Sequence, residues 1–358
     1  RFSPHGSKNI TDLTRLRDAS PAQFLSAPRM ICHDQEPLNH ALYSHPDVIT
    51  ELINHKPTHF LSHYNTALIP WLTTKNLKLN TDPACCNGDW ALLLHSEKHS
   101  DQLDLYRESG FVPVYWWSHA IIARDWFRYA EHDPVLKTKH IHRDFLIYNR
   151  AWQGTREYRL KLAELVISHG LSTGCGMRFN PWDSGQYYGD HQYVNPAFRV
   201  TTALEDHFDL NTYDATASAD YDSSDYEHTG IEVVLETLFD DSRWHLTEKT
   251  LRPMACAQPF ILAATPGSLA YVRQYGFQTF APLINETYDT ITDPGARLMA
   301  IVQEMRRIAD LPQDQKLHLF EALHGIALQN QQRFFSHDFH RQVVLELKTN
   351  LAQARVNL

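Results

Sequence analysis

Short apolar runs alternate with amphipathic stretches through the first 130 residues. Arg29–Cys32, Thr58–Ser62, Trp90–His95 and Val112–Trp117 read as strands, and Pro46–Asn54 and Gln102–Ser109 carry helical spacing. Alternation of this kind builds parallel β/α units. The polar stretch Arg128–Arg143 holds a proline and no apolar period, which suits an interdomain linker. The pattern then restarts. Phe145–Tyr148 predicts a strand, and Arg156–His169 an amphipathic helix closed by Gly170. Between Ser172 and Thr229 the chain is rich in Gly, Asp, Tyr and Ser, predicting irregular loops with one or two strands.

The most regular pattern comes next. Ile231–Thr237 predicts a strand, Thr247–Cys256 a helix, Pro259–Ala264 a strand, and Ser268–Tyr275 a short helix closed by Gly276. From Pro294 onward the spacing is almost entirely helical. The pattern predicts two α/β halves, 1–135 and 136–325, followed by a helical tail, 326–358.

Composition narrows the class. The chain has 358 residues, 43% hydrophobic and 21% charged, enough for two domains with their own cores. No apolar run approaches the roughly 18 residues that span a bilayer, and no secretory leader is visible. The first residue is Arg1, which points to a trimmed or incomplete N-terminus. Five cysteines without C-x-x-C spacing fit a reducing compartment, and the cytoplasm is the expected location. A net charge of −9 argues against a chain wrapped broadly in nucleic acid, while leaving room for a local basic groove. His55, His59 and His63 have helical metal-ligand spacing, but Pro57 interrupts it, so no metal ligand is assigned.

Three places can carry chemistry. In the unit Glu236…Asp240-Asp241…Thr247-Glu248-Lys249-Thr250, a strand leads into a helix whose first amides and dipole favour an anion. Thr247 is the expected N-cap, and Lys249 places a positive charge where the helix itself disfavours one. An ordinary capped helix with a solvated lysine has the same spacing. Asn149-Arg150…Thr155-Arg156 follows a strand and opens a helix, at the strand end where open α/β sheets bind ligands. An ion pair from one of these arginines to Glu157 or Glu164 is the competing reading. His33-Asp34-Gln35-Glu36-Pro37 follows the first strand, and Asp34 or Glu36 is placed to act as a general base. Asp34 as a helix cap before Pro37 competes. Asp220-Tyr221-Asp222 has D-x-D form but lies in a polar run and reads as a solvated loop, and Tyr115-Trp116-Trp117 reads as core.

These segments also resemble a known family. The run from Ile231 to Phe280 resembles the donor domain of α1,3-fucosyltransferase-like GT-B glycosyltransferases, with their Thr-Glu-Lys signature, and glycosyltransferase-like proteins of tailed phages and other viruses. Phe145–Leu165 resembles the family's strand–Arg–helix segment, and HDQEP is similar to its Glu-Asn…Pro motif, with Glu36 and a displaced proline retained. The resemblance implies two Rossmann-like domains facing across a cleft. It also implies an inverting transfer from a nucleoside-diphosphate sugar, without a cofactor or catalytic metal. Lys249 and Arg156 would bind the diphosphate, Glu248 the ribose hydroxyls, and Glu36 would be the base. A viral origin would make the host cytoplasm the location, and the acceptor a hydroxylated pyrimidine in DNA, a protein or a glycan. Lys137–Arg143 with Arg150 offers DNA a local basic path. Two other classes stay open: a non-catalytic nucleotide or glycan binder, and a metal-dependent hydrolase using His and Asp.

Overall fold

The computed structural model describes residues 30–33, 91–100, 103–108, 111–210 and 219–356. Asp34, Glu36, the predicted strand at 58–62, the predicted helix at 46–54, and His55, His59 and His63 lie outside them. The chain divides into two compact units, residues 1–118 with 343–358, and residues 119–342. Among the described residues, no helix is long and apolar enough to cross a membrane.

Among the described residues, the first unit contains three parallel strands, β1 (Met30–His33), β2 (Ala91–His95) and β3 (Phe111–Tyr115), in the order β1-β2-β3. Helix α1 (Leu103–Glu108) makes the β2-to-β3 crossover and packs on β3. Parallel neighbours require such a crossover, which is why the apolar and amphipathic stretches alternate here. Trp117 is fully buried, as the core reading of the aromatic cluster expects. The end of the last helix belongs to this unit: Lys98 pairs with Glu346 at 2.9 Å, and Asn350 donates to the Tyr115 carbonyl at 2.8 Å.

The second unit is built on a five-stranded parallel sheet. Its strands are β4 (Arg143–Asn149), β5 (Cys175–Phe179), β8 (Asp209–Leu210), β9 (Thr229–Leu235) and β10 (Phe260–Ala263). A two-stranded hairpin of β6 (Trp182–Asp183) and β7 (Gln186–Tyr187) follows β5. In space the order is β10-β9-β4-β5-β8, so the strands in order of appearance lie 3-2-1-4-5 across the sheet. That is the strand order of doubly wound, dinucleotide-binding sheets. Phe145, Ile147, Ile231, Val233 and Ile261 are fully buried, the continuous apolar character of strands covered on both faces.

Side-chain alternation along β4 identifies the two covering layers. On one face, Asp144 pairs with Lys316 of α8 (Gln313–Phe335) at 2.8 Å, and Tyr148 lies under Arg252 of α5 (Glu248–Ala255), 4.2 Å from its ring centroid. On the other face, Asn149 donates to the Arg159 carbonyl of α3 (Tyr158–Ser168) at 2.9 Å. Helix α7 (Pro294–Ala309) packs on α3 and β10. A Cβ on Gly230 would fall 2.6 Å from the Phe320 ring, so the glycine lets α8 approach β9 closely. The one charged side chain within β9, Glu232, is matched by Arg252 at 2.8 Å and by the Tyr226 hydroxyl at 2.8 Å.

Several sequence expectations meet the structure directly. Thr247 is the N-cap of α5, and Gly170 and Gly276 adopt positive φ just past α3 and past α6 (Ser268–Gln274). The helix expected from Arg156 begins at Tyr158, after a 3-10 turn at Gly154–Arg156. The polar stretch 128–143 lies in the second unit and forms two 3-10 turns that fully bury Ala130 and Leu136. The stretch 172–229 holds more order than its composition predicts: β5 to β8, and α4 (Ser223–Glu227), which Asp222 caps through the Ser224 amide. The three C-terminal helices are α7, α8 and α9 (His337–Val356).

Asp289 caps α6 from outside the helix, accepting from the Leu269 amide at 3.2 Å. Burial pushes its carboxyl up to about 6, against the pull of the Leu269 amide and Arg273. Unfolded aspartate titrates near roughly 3.9, so between these values the folded chain binds the extra proton. Stability from this group is therefore present below about pH 4 and lost as pH rises through about 6. Asp289→Asn keeps an acceptor for Leu269 and does not ionise. Chemical denaturation should show the variant gaining about 2–3 kcal/mol on wild type between about pH 4 and pH 7; a difference that stays constant with pH would contradict this.

Candidate functional site

In a 3-2-1-4-5 sheet the crossovers leave β4 and β9 in opposite directions. This opens a crevice beyond their carboxyl ends, the usual ligand position of open α/β sheets. The segments that emerge there are 150–157 after β4 and 236–247 after β9. Both were singled out by sequence pattern, and the sheet makes them neighbours.

Glu236, fully buried, organises the β9 side. Its carboxylate accepts from the Thr247 amide at 2.9 Å, the Thr247 hydroxyl at 2.8 Å, the Thr237 amide at 3.2 Å, the Thr250 amide at 3.2 Å and the Thr250 hydroxyl. Five donors saturate the carboxylate, and two of them are first-turn or cap amides of α5. The anion that satisfies this helix N-terminus is thus Glu236 itself. Its role is to hold the Thr247-Glu248-Lys249 turn in place.

That turn presents its two charged side chains together. Glu248 is 7% exposed, with Oε1 2.9 Å from Lys249 Nζ and Oε2 3.9 Å from His119 Nε2. Burial pushes the Glu248 carboxyl up, but the Lys249 ammonium and the His119 imidazole outweigh it and hold the group well below the usual carboxylate range. Lys249 also reaches the Thr247 hydroxyl at 3.2 Å. His119 belongs to α2 (Ser118–Trp126), and the His245 ring meets its ring edge-on at 5.3 Å.

On the β4 side, the first turn of α3 ties the strand ends together. The buried Arg159 guanidinium donates to the carbonyls of Ala151 at 2.6 Å, Leu235 at 2.8 Å and Glu236 at 3.0 Å. The Tyr158 hydroxyl bridges the carbonyls of Glu236 and Ala263 at 2.6 and 3.2 Å. The loop before α3 is clamped by Asp183 of the hairpin, whose carboxylate accepts from the Trp152 and Gln153 amides at 2.7 and 2.8 Å. Thr155 Oγ1 donates to the Thr237 carbonyl at 2.8 Å, tying the loop to the β9 side. Gly154 sits at φ 64°, the left-handed region that favours glycine. Arg156 donates to the Gln153 carbonyl at 3.3 Å. Glu157 and Glu164 are occupied by other donors: Glu157 by His191 and the Val194 and Asn195 amides, Glu164 by Lys161, Thr201 and Thr202.

Arg150 shows how closely the two sides meet. Burial lowers its pKa, Arg159 and Arg156 push the same way, and Glu248 and Asp183 oppose them. Arg150, Arg156, Arg159 and Lys249 therefore share one electrostatic neighbourhood with Glu248. Three fully or nearly fully buried polar atoms here have no protein partner among the described residues: Asn149 Oδ1, Arg159 Nε and Thr237 Oγ1.

The structure thus brings together Asn149, Arg150, Arg156, Glu236, Thr247, Glu248 and Lys249. Asn149 and Glu236 are engaged within the fold, and Arg150, Arg156, Glu248 and Lys249 supply the charge. Sequence reasoning missed Arg159, Asp183 and His119. Arg159 sits three positions after Arg156 on a helix, the usual spacing of a solvated basic face. Neither Asp183 nor His119 belongs to any local motif. Asp220 and Asp222 bond to the amides of Tyr221 and Ser224, so this D-x-D run serves local turns. Among the described residues, no group of three or more His, Cys, Asp or Glu side chains is placed to hold a metal ion. No protein-family model, curated protein or solved structure matches the chain.

The saturation of Glu236 gives a direct test. Glu236→Ala leaves buried amides and hydroxyls of Thr247 and Thr250 without an acceptor, at about 1–3 kcal/mol for each group. Chemical denaturation should show a loss of at least about 3 kcal/mol, and a loss under about 1 kcal/mol would contradict the assigned role.

Proposed function

We propose that the switch point of the second unit binds the diphosphate of a nucleotide-sugar, and that the protein is an inverting, metal-independent glycosyltransferase of GT-B type. The observation that carries this reading is the convergence of Arg150, Arg156, Arg159 and Lys249 at the crevice of a 3-2-1-4-5 sheet, beside a carboxylate held ionised. A nucleoside diphosphate presents those two needs together: anionic phosphates and a ribose diol that donates hydrogen bonds. Lys249, Arg150 and Arg156 meet the first and Glu248 the second. Arg159 holds the two strand ends at the spacing the ligand meets.

The chemistry fits this distribution. As the glycosidic bond to phosphate breaks, negative charge grows on the departing diphosphate while the sugar becomes cation-like. Fixed cations in a partly buried site stabilise that charge without reorganising, the principle of an oxyanion hole. Glu36, or Asp34 two positions before it in the sequence, is the proposed base that takes the proton of the incoming hydroxyl. The acceptor belongs to the hydroxyl class: a hydroxylated pyrimidine in DNA, a protein side chain or a glycan.

Thermal-shift measurements with UDP, GDP, CDP and TDP and their sugars test the reading. A nucleotide bound at about 100 times its Kd stabilises the folded chain by about 2.7 kcal/mol. Lys249→Ala should abolish the shift and Arg156→Ala should weaken it. No shift with any of these nucleotides would overturn the proposal. Glu36→Gln separates an enzyme from a binder, because an enzyme loses turnover while keeping donor affinity.

A further inference from the structure

The two oxygens of Glu248 have different surroundings. Oε1 is held by Lys249 at 2.9 Å, within the first turn of α5. Oε2 faces His119, whose Nε2 lies 3.9 Å away, too far for a hydrogen bond but close enough for an ion pair. His119 is 3% exposed and comes from α2, more than a hundred residues earlier in the chain. Its ring is met edge-on by His245 at 5.3 Å, from the loop that leads into α5. The titratable and charged groups that meet this imidazole include the Glu248 carboxylate of α5, itself paired with Lys249, and the His245 ring of the loop. Arg150 acts on the same carboxylate from the β4 side.

This arrangement has a chemical consequence. With Oε1 committed to Lys249, Oε2 is the acceptor left for a ligand hydroxyl. A neutral imidazole leaves that oxygen to the ligand. An imidazolium attracts it, and a hydroxyl must then compete with a buried cation. We propose that His119 is a positioning residue for Glu248, and that its protonation lowers affinity for the ribose diol while leaving the diphosphate contacts in place. The proposal rests on the nucleotide-binding reading and adds to it a pH control on one half of the ligand. Sequence spacing carries no trace of it, because only tertiary packing brings α2 to the first turn of α5.

The effect is read by comparing two ligands with the same diphosphate. The probes are whichever of UDP, GDP or CDP binds most tightly and its 2′,3′-dideoxy analogue, measured by titration calorimetry at steps from about pH 5.5 to pH 8. Titration of the phosphates affects both ligands alike, so the ratio of their Kd values isolates the hydroxyl contacts. The preference for the ribonucleotide should grow about tenfold as pH rises across this range. In His119→Gln the preference should be independent of pH, while the pH-8 Kd of the dideoxy analogue stays within about twofold of wild type. A flat ratio in wild type overturns the proposal without needing any variant. A pH-dependent ratio that persists in a folded His119→Gln protein also overturns it. If neither ligand binds at any pH, the nucleotide-binding reading itself fails, which is a separate result.

Discussion

A carboxylate with five hydrogen bonds sits beneath the crevice of the second unit. Glu236 leaves the end of β9 and, within one short loop, meets the cap and first turn of the helix that follows. Burying an ionised carboxylate is costly unless its lone pairs are filled, and here the Thr237, Thr247 and Thr250 amides and hydroxyls fill them. The result fixes the direction of the first turn of α5, and with it the positions of Glu248 and Lys249. Arg159 does the matching work on the other strand, spanning the carbonyls of Ala151, Leu235 and Glu236. One buried anion and one buried cation therefore set the geometry at the point where the sheet changes direction.

This changes where an anionic ligand would find its charge. A helix after a strand invites the expectation that its free amides and dipole hold a phosphate. In α5, Glu236 already satisfies that end of the helix, so the electrostatic attraction comes from side chains: Lys249 beside Glu248, and Arg150 and Arg156 across the crevice. The lysine that is misplaced for its own helix is tolerated because its ammonium pairs with Glu248 and the Thr247 hydroxyl.

The middle of β9 is held in the same way. Glu232 interrupts the apolar run of β9 and is matched by Arg252, which also lies over the Tyr148 ring. Breaking one member of such a pair leaves an uncompensated buried charge, so the two residues constrain how α5 docks on the sheet. Helix α5 is thereby held at its first turn by Glu236 and near its end by Glu232. Pro253 follows Arg252 directly, just past both restraints.

Much of the secondary structure was readable from the chain alone. Apolar runs such as FLIY and FILA cannot stay in water and mark β4 and β10, Thr247 marks a helix start, and Gly170 and Gly276 mark helix ends. β5 was not legible, because CGMRF carries a glycine and an arginine inside a polar stretch, and its partners in the sheet stabilise it more than its own pattern does. Arg156 and Lys249 were visible as cations in expected first helical turns, where a helix disfavours them, Arg150 as a neighbour of the first, and Glu248 through the Thr-Glu-Lys resemblance. Their meeting was not visible, since it depends on β9 lying beside β4 rather than beside β8. Local pattern is set by what each short segment must bury or cap, and that is written in consecutive residues. Which strand ends adjoin, and so whether Glu236, Arg159 and His119 face the Thr247-Glu248-Lys249 turn, follows from packing between segments that lie, for His119 and Glu248, more than a hundred residues apart. Only the folded chain decides it.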